Sequence, residues 1–402
     1  MALILLCSKR LATFWDTEKD QAMRHENSVF HELLKQVPWH RFESLVEDYG
    51  ADARVRRLST KSQLVALLYG QLSGAASLRE IVTGLLSHAL RLYHVGAGPI
   101  RRSTFSDANA QRPAAVFTDL LAIMMKQAHR GLRRKLAETT YLIDATSARL
   151  SERSADWARF SAGVCGTKVH VIYDADTDRP IYAAVTTAKV NDITMAKQMP
   201  IEPGATYVFD LGYYDYAWWA ELDAVGCRIV TRFKSNTPLD LIEELPVATG
   251  SNILSDRIGL LPARQARSRH NPMHDAVREV RTMTNTGTVL RILSNDLDAS
   301  AEEIADLYRR RWAIELFFRW VKQTLKITHF IGVSENAVRI QIAVALIAFL
   351  LLRLAQALQN AIPSPIVFSR LVRANLMHRR SIDNLLYPPP TLQDQQQMSL
   401  SL

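Results

Sequence analysis

The chain has 402 residues, 49 Lys and Arg against 40 Asp and Glu, a net charge of +9 and a pI near 9.5. A hydrophobic share of 48% with 22% charged residues excludes a disordered chain and allows two or three folding units with sizeable cores. The basic excess points to a polyanionic partner, and it is concentrated early: residues 1–138 hold 20 Lys and Arg against 13 Asp and Glu.

Residues 1–27 are irregular and mixed in charge, and read as a flexible tail or a misannotated start, with Met23 as an alternative first residue. The apolar opening Met1–Cys7 is too short for a signal peptide. Cys7, Cys165 and Cys227 show no paired spacing, so neither a disulfide framework nor a zinc site is expected, and a reducing cytoplasm fits. Residues 28–137 read as an all-α N-terminal domain. Leu33, Leu34 and Val37 form one apolar face, and Phe42, Leu45 and Val46 the next. Arg54, Arg56, Arg57 and Lys61 precede an apolar helix over Gln63–Leu72. Ser77 with Glu80 three residues on predicts a capping box opening a helix to about Leu90. After a Gly96–Pro99 loop, Arg101 and Arg102 flank a short polar helix capped by Ser103. Helices and basic residues in this order suit a helix-turn-helix-like DNA-binding unit; a plain helical bundle with a solvated basic face is the competing reading.

The pattern changes at Glu138. Strands are expected at Thr140–Ala145, Lys168–Tyr173 and Ile181–Thr187, the last two joined by a turn at Asp174–Thr177. A short helix over Asp192–Met199, a strand at Tyr207–Asp210, a helix over Trp218–Val225 and a strand at Arg228–Arg232 follow. A meander followed by strand–helix alternation makes the fold class α/β with a mixed sheet, its first part spanning 138–233. Residues 234–299 interrupt it as a β-rich insertion with strands at Val277–Met283 and Thr288–Leu293. The second part, 300–386, opens with a long helix, Ala301–Lys326, and continues with an apolar helix near Arg339–Leu358. The uncharged run Ile342–Leu352 within it is eleven residues, short of the roughly 20 that span a membrane, so a buried helix is expected. The tail 387–402 is Pro- and Gln-rich and reads as disordered.

Chemistry concentrates in the long helix. Tyr308, Arg311, Glu315 and Lys322 fall on one face at about 100° per residue. A carboxylate among cations suits holding a metal beside a phosphate backbone. Asp144 and Asp210 each end an apolar β run, where a sheet presents side chains at its carboxyl edge. If these two converge with Glu315, their repulsion calls for cations between them, and oxygen-only ligation suits two Mg²⁺ or Mn²⁺ ions. Arg311 and Lys322 would bind phosphates, Arg311 by a fork and Lys322 as a point charge. A surface pair with Glu315 is the plainer reading of Arg311, and a packed phenol that of Tyr308. Trp312, Phe317, Phe318 and Trp320 are expected in the core, and His170 in a structural role.

Together these residues resemble the DDE transposases of bacterial insertion sequences, closest to the insertion-sequence-four branch, whose Tyr-x2-Arg-x3-Glu-x6-Lys hallmark is matched in full. The strings Leu142–Thr146, Lys168–Asp174, Asp210–Tyr216 and Ile229–Asn236 are similar to that family too, and the likeness covers roughly residues 24–380. It implies a ribonuclease-H-like core split by the insertion, with Asp144, Asp210 and Glu315 holding two metal ions. It also implies that Tyr308, Arg311 and Lys322 hold DNA phosphates. The implied activity is cleavage of double-stranded DNA at the element ends, bound at terminal inverted repeats, and joining of the 3′-hydroxyls to target DNA. A homodimer acting at the bacterial nucleoid, with no membrane partner, is implied as well. Two departures stand out. Leu211 follows Asp210 where many of that family carry Arg, and 234–299 contains no Trp, Tyr or Phe for a hairpin route that stacks a base on an inserted Trp. A nuclease or resolvase on the same core, and a DNA-binding relic without catalysis, are the rival readings.

Overall fold

Serine caps set the helix starts. Ser28, Ser59, Ser77, Ser300, Ser334 and Ser364 each accept a backbone N–H of the first turn, satisfying a donor that the helix itself leaves open. The computed structural model describes residues 27–130, 139–325 and 329–386. The tails 1–26 and 387–402, the change of pattern at Glu138 and the expected helix end at Lys326 lie outside the described residues.

Among the described residues the chain opens with seven helices: α1 (Val29–Leu34), α2 (Trp39–Asp48), α3 (Thr60–Ser73), α4 (Leu78–Ser87), the single turn α5 (Ala89–Leu92), α6 (Arg102–Gln111) and α7 (Ala115–Arg130). The expected capping box opens α4: Ser77 Oγ accepts the Glu80 N–H at 3.1 Å, and Glu80 reaches back to the Ala76 N–H at 2.8 Å. α4 ends at Ser87 rather than near Leu90, because His88 leaves helical geometry (φ −115°, ψ 24°).

The sheet is built from β1 (Thr140–Leu150), β2 (Arg159–Ser161, after the turn of helix α8, Ala155–Ala158), β3 (Val164–Asp174), β4 (Arg179–Thr187), β5 (Thr206–Phe209) and β6 (Arg228–Arg232). Helix α9 (Asp192–Ala196) connects β4 to β5, and α10 (Tyr216–Ala224) connects β5 to β6. The turn before β4 forms as the composition suggests, with Asp174 accepting the N–H groups of Asp176 and Thr177. β1, β3 and β4 run antiparallel in turn, whereas β5 is parallel to β1 and β6 parallel to β5.

The 234–299 segment supplies β7 (Asp240–Leu245), β8 (Ile253–Leu260), the small pair β9 (Arg264–Ala266) and β10 (Arg269–His270), β11 (Val277–Met283) and β12 (Val289–Ser294). This segment does not stand apart. β12 pairs with β6, so the inserted strands extend one ten-stranded mixed sheet among the described residues, in the order β2-β3-β1-β5-β6-β12-β11-β8-β7 with β4 on β3. Two charged contacts secure it: a buried Arg278–Asp256 pair across β11 and β8, and Glu279 held by Arg281 and Arg291.

Alternation along the strands divides the core by face. Tyr141, Ile143, Tyr207 and Phe209 pack with Trp218 and Trp219 of α10, and Leu142, Val208 and Val230 face the other helices. Those are α11 (Ala301–Arg310), α12 (Trp312–Thr324), α13 (Glu335–Ala357) and α14 (Pro365–Asn375). α13 is the hub. It is 23 residues long, apolar enough to cross a membrane by composition, and 83% of its most apolar window is buried inside the protein. The N-terminal helices pack around it in one continuous core. Asn336, at its first turn, donates to the carbonyls of Asn109 and Arg112 and accepts the Ala114 N–H.

Candidate active site

The parallel pairing of β1 with β5 ends at Ile143 opposite Phe209. The next residues on the two strands are Asp144 and Asp210, so the two carboxylates are neighbours where the pairing ends. Each lies two residues beyond one in the core that α11 and α12 share, Leu142 and Val208 respectively, so strand alternation points both toward that face of the sheet. Asp144 is not at a strand end as expected. β1 continues to Leu150 against β3, and Asp144 is its fifth residue. What ends there is only the pairing with β5. Asp210 leaves β5 in extended geometry and caps a 3₁₀ turn over Leu211–Tyr213, accepting the Gly212 N–H at 2.8 Å.

Glu315 enters from α12. The expected single helix Ala301–Lys326 is interrupted at Arg311, where the hydrogen bonds tighten to i−3: Arg311 N–H to Tyr308 carbonyl at 3.1 Å, and Ile314 N–H to Arg311 carbonyl at 3.2 Å. A tightened turn inside a helical run re-aims side chains without ending the run. Arg311 thereby stands between two acids, with Nη2 at 2.5 Å from Glu315 and Nη1 at 4.0 Å from Asp144.

The charges of these groups act on one another. Asp144 is pushed up to about 6, first by burial and then by the charges of Asp210 and Glu315, against the Ala145 N–H and Arg311. Burial works against the charge on Arg311, but Tyr308, Glu315 and Asp144 outweigh it and raise its pKa. Lys322 is lowered by burial, with Asp144 opposing. Tyr308 is buried and raised by that burial, with Arg311 and Arg232 pulling the other way, and the Arg311 guanidinium lies 5.6 Å from its ring. The structure therefore brings Asp144, Asp210, Glu315, Tyr308, Arg311 and Lys322 together. Arg101 and Arg102 are elsewhere: both are exposed at the start of α6, and among the described residues no hydrogen bond or ion pair ties them to this cluster.

Three neighbours were not singled out from the sequence. Arg232, at the end of β6, faces Tyr308, and its buried Nε has no partner among the described residues, like that of Arg311. Asp192 opens α9 and binds Lys168 at 3.0 Å. Tyr213 is 1% exposed, and its hydroxyl has no partner. The position of Arg232 at a strand end beside the Asp210 edge was the one available signal. The others depend on α9 folding over the sheet. His170 is fully buried, bonded to Thr186 at 2.8 Å and lowered by burial to about 4, a neutral structural residue as expected. Trp312 differs from expectation. It is 48% exposed, with Arg319 5.6 Å from its ring, whereas Phe317 and Phe318 are buried.

The donors of Asp144, Asp210 and Glu315 are all oxygens, which suits a hard divalent cation. Among the described residues no three His, Cys, Asp or Glu side chains form a ready ligand group, and the Arg311 guanidinium lies between Asp144 and Glu315.

A family described as "Transposase DDE domain" matches residues 135–351, and one described as "Domain of unknown function (DUF4372)" matches 25–98. The chain is 39% identical over 290 residues to a putative transposase y4zB of Sinorhizobium fredii, covering 71% of this chain and 80% of that one. It is 30% identical over 305 residues to a probable transposase for insertion sequence element IS5377 of Geobacillus stearothermophilus, covering 72% and 79%. It is also 27% identical over 259 residues to a putative transposase for insertion sequence element IS4SA of Synechocystis, covering 63% and 71%. Among solved structures, a cryo-EM structure of a piggyBac transposase synaptic complex with hairpin DNA superposes at a TM-score of 0.42 and 12% identity, covering 93% of this chain and 83% of that one, a likeness too weak to carry weight. On the extent of the domain match and of the first two relatives, the chain belongs to the DDE transposase family, enzymes that depend on a divalent metal ion, Mg²⁺ or Mn²⁺.

Proposed function

We propose that this transposase is of the insertion-sequence-four branch, binds terminal inverted repeats, cleaves DNA at the element ends and joins the freed 3′-hydroxyls to target DNA. The observation that carries the reading is the placement of Asp144 beside Asp210 where β1 and β5 part, with Glu315 facing them across Arg311. The complete Tyr308, Arg311, Glu315, Lys322 spacing supports the branch. The sheet supports a ribonuclease-H-like core: its first five long strands lie in the order β4-β3-β1-β5-β6, antiparallel for three and parallel for two.

In this reading Asp144, Asp210 and Glu315 hold two divalent ions, Mg²⁺ or Mn²⁺, which would supply activation of the attacking oxygen and neutralisation of the leaving one. Glu315 parts from Arg311 to do so. That frees a guanidinium whose Nε is already without a partner to grip a phosphate by its fork. Lys322 adds a point charge beside Asp144, and Tyr308 a buried hydroxyl held in its protonated form. The helices described over 29–130, with the exposed Arg101 and Arg102, contribute phosphate contacts and hold the ends. Two ends joined in one complex require two copies, so the acting form is a homodimer on DNA. Its compartment is the bacterial cytoplasm, at the nucleoid.

The test uses purified protein, Mg²⁺ and the DNA flanking its own gene, with Glu315→Gln beside the wild type. Wild type nicks at symmetric positions outside inverted repeats, and Glu315→Gln loses this by more than about a hundredfold while retaining end binding. Cleavage by the variant at the wild-type rate would remove Glu315 from the site.

A further inference from the structure

We propose that Asp192 is a fourth carboxylate of the metal site and that Tyr213 donates its hydroxyl proton to what is bound there. The inference rests on the reading of Asp144 and Asp210 as metal ligands, and extends it to the opposite face of the sheet.

Asp192 lies on the connection between β4 and β5 and approaches the Asp210 turn from the side of α9, away from Glu315. One of its oxygens is fixed. Oδ1 takes the Lys168 ammonium at 3.0 Å, and the same ammonium donates to the Val190 carbonyl at 3.0 Å. His170 Nδ1 stands 3.8 Å from that oxygen without a hydrogen bond, while its Nε2 is engaged by Thr186. The other oxygen faces the site. A methyl carbon built on Gly212 would lie 3.6 Å from Asp192 Oδ2 and 3.0 Å from Asp210 Oδ1, so the two carboxylates flank one small space at the sheet edge.

Tyr213 is the independent observation. Its side chain is 1% exposed, and its hydroxyl has no hydrogen-bond partner among the described residues, an arrangement that native cores avoid unless something unseen satisfies it. After burial, the charges that act on this phenol are those of Asp144, Asp192 and Asp210. A protonated hydroxyl among three carboxylates is a donor, and a cation with its waters between those acids would give it an acceptor. Lys168 brings one charge against these three acids, and Arg311 is shared between Asp144 and Glu315. If Asp192 instead only anchors α9 through Lys168, its loss would affect stability and leave metal binding alone.

The experiment is a titration of the full-length protein with Mn²⁺, read from the EPR signal of the free ion, without DNA. Wild type binds, and Asp144→Asn loses binding. Asp192→Asn, which keeps the shape and a hydrogen bond to Lys168, weakens binding by at least about tenfold. Tyr213→Phe, which removes one oxygen, weakens it by a smaller factor of about two to five. Binding by Asp192→Asn that superimposes on wild type, while Asp144→Asn is lost, overturns the proposal and leaves the first reading standing. Wild-type binding by Asp144→Asn as well would overturn the metal site altogether. Should Asp192→Asn fail to fold, an unchanged affinity in Tyr213→Phe decides against the proposal.

Discussion

At the scale of the residue, burial costs Asp144 more than any other acid of the cluster. Its pKa of about 6 lies above its ordinary 3.8, chiefly because it is buried, with Asp210 and Glu315 adding to the effect. A carboxyl with a raised folded pKa binds more protons folded than unfolded between about pH 4 and 6, so the protein loses stability as pH rises through that window. The loss at pH 7 amounts to up to about 3 kcal/mol. Asp144→Asn should therefore melt above the wild type at pH 7 in EDTA and together with it at pH 4. Differential scanning calorimetry at the two values checks this, and equal melting at pH 7 would contradict the raised pKa. Added Mn²⁺ should raise the wild-type midpoint and leave the variant unmoved, since an ion stabilises the state that binds it.

At the scale of the element, the inserted strands serve the site through Arg278. This guanidinium grips Asp256 with two bonds of 2.8 and 2.6 Å, and donates to the carbonyls of Leu297 and Ala299 just before α11. It thus ties β11 and β8 to the helix that carries Tyr308. Arg278→Met leaves Asp256 buried and unpaired, which should destabilise the fold by about 3–5 kcal/mol. Arg278→Met with Asp256→Leu should recover most of that loss in a denaturant titration. A single variant as stable as wild type would show that the pair does not hold these strands. The interruption at Arg311 is the second matter for this scale. The 3.6-residue pattern over Ala301–Lys326 has no Gly or Pro to announce it, and every residue there tolerates helix. The break arises from the tightened hydrogen bonds at Tyr308 and Ile314, which turn Arg311 toward Asp144 and Glu315.

At the scale of the molecule, α13 joins the N-terminal helices and the sheet in one continuous core. α1 joins the far end of the chain through backbone bonds from Val29 to His378 and from Phe30 to Leu376, and the helices of 29–130 share their core with α13. Thermal unfolding of the full chain should accordingly show one transition. Leu350→Ala, at a fully buried position of α13, should lower that transition as a whole by about 2–5 kcal/mol. Two calorimetric peaks, only one of them moved by the variant, would show independent domains.

Sequence alone determined much of this protein, because local chemistry acts over short spans. The Ser77 capping box, the Asp174 turn and the strands Arg228–Arg232 and Val277–Met283 were legible from residues within a few positions of each other, whereas the expected Ser103 cap lies inside α6, which starts at Arg102 behind Arg101 with no side-chain cap. So was the spacing that places Tyr308, Arg311, Glu315 and Lys322 within one helical stretch. Tertiary structure alone decided the rest. The extension of the sheet by β12 on β6 depends on hydrogen bonds between strands some 60 residues apart, which no local pattern encodes. The adjacency of Asp144 and Asp210 depends on the β1–β5 register, and a shift of one residue would turn one of the acids to the other face. Asp192 and Tyr213 had no sequence signal, since only the folding of α9 and the Asp210 turn over the sheet edge brings a distant carboxylate and a buried phenol to the same place.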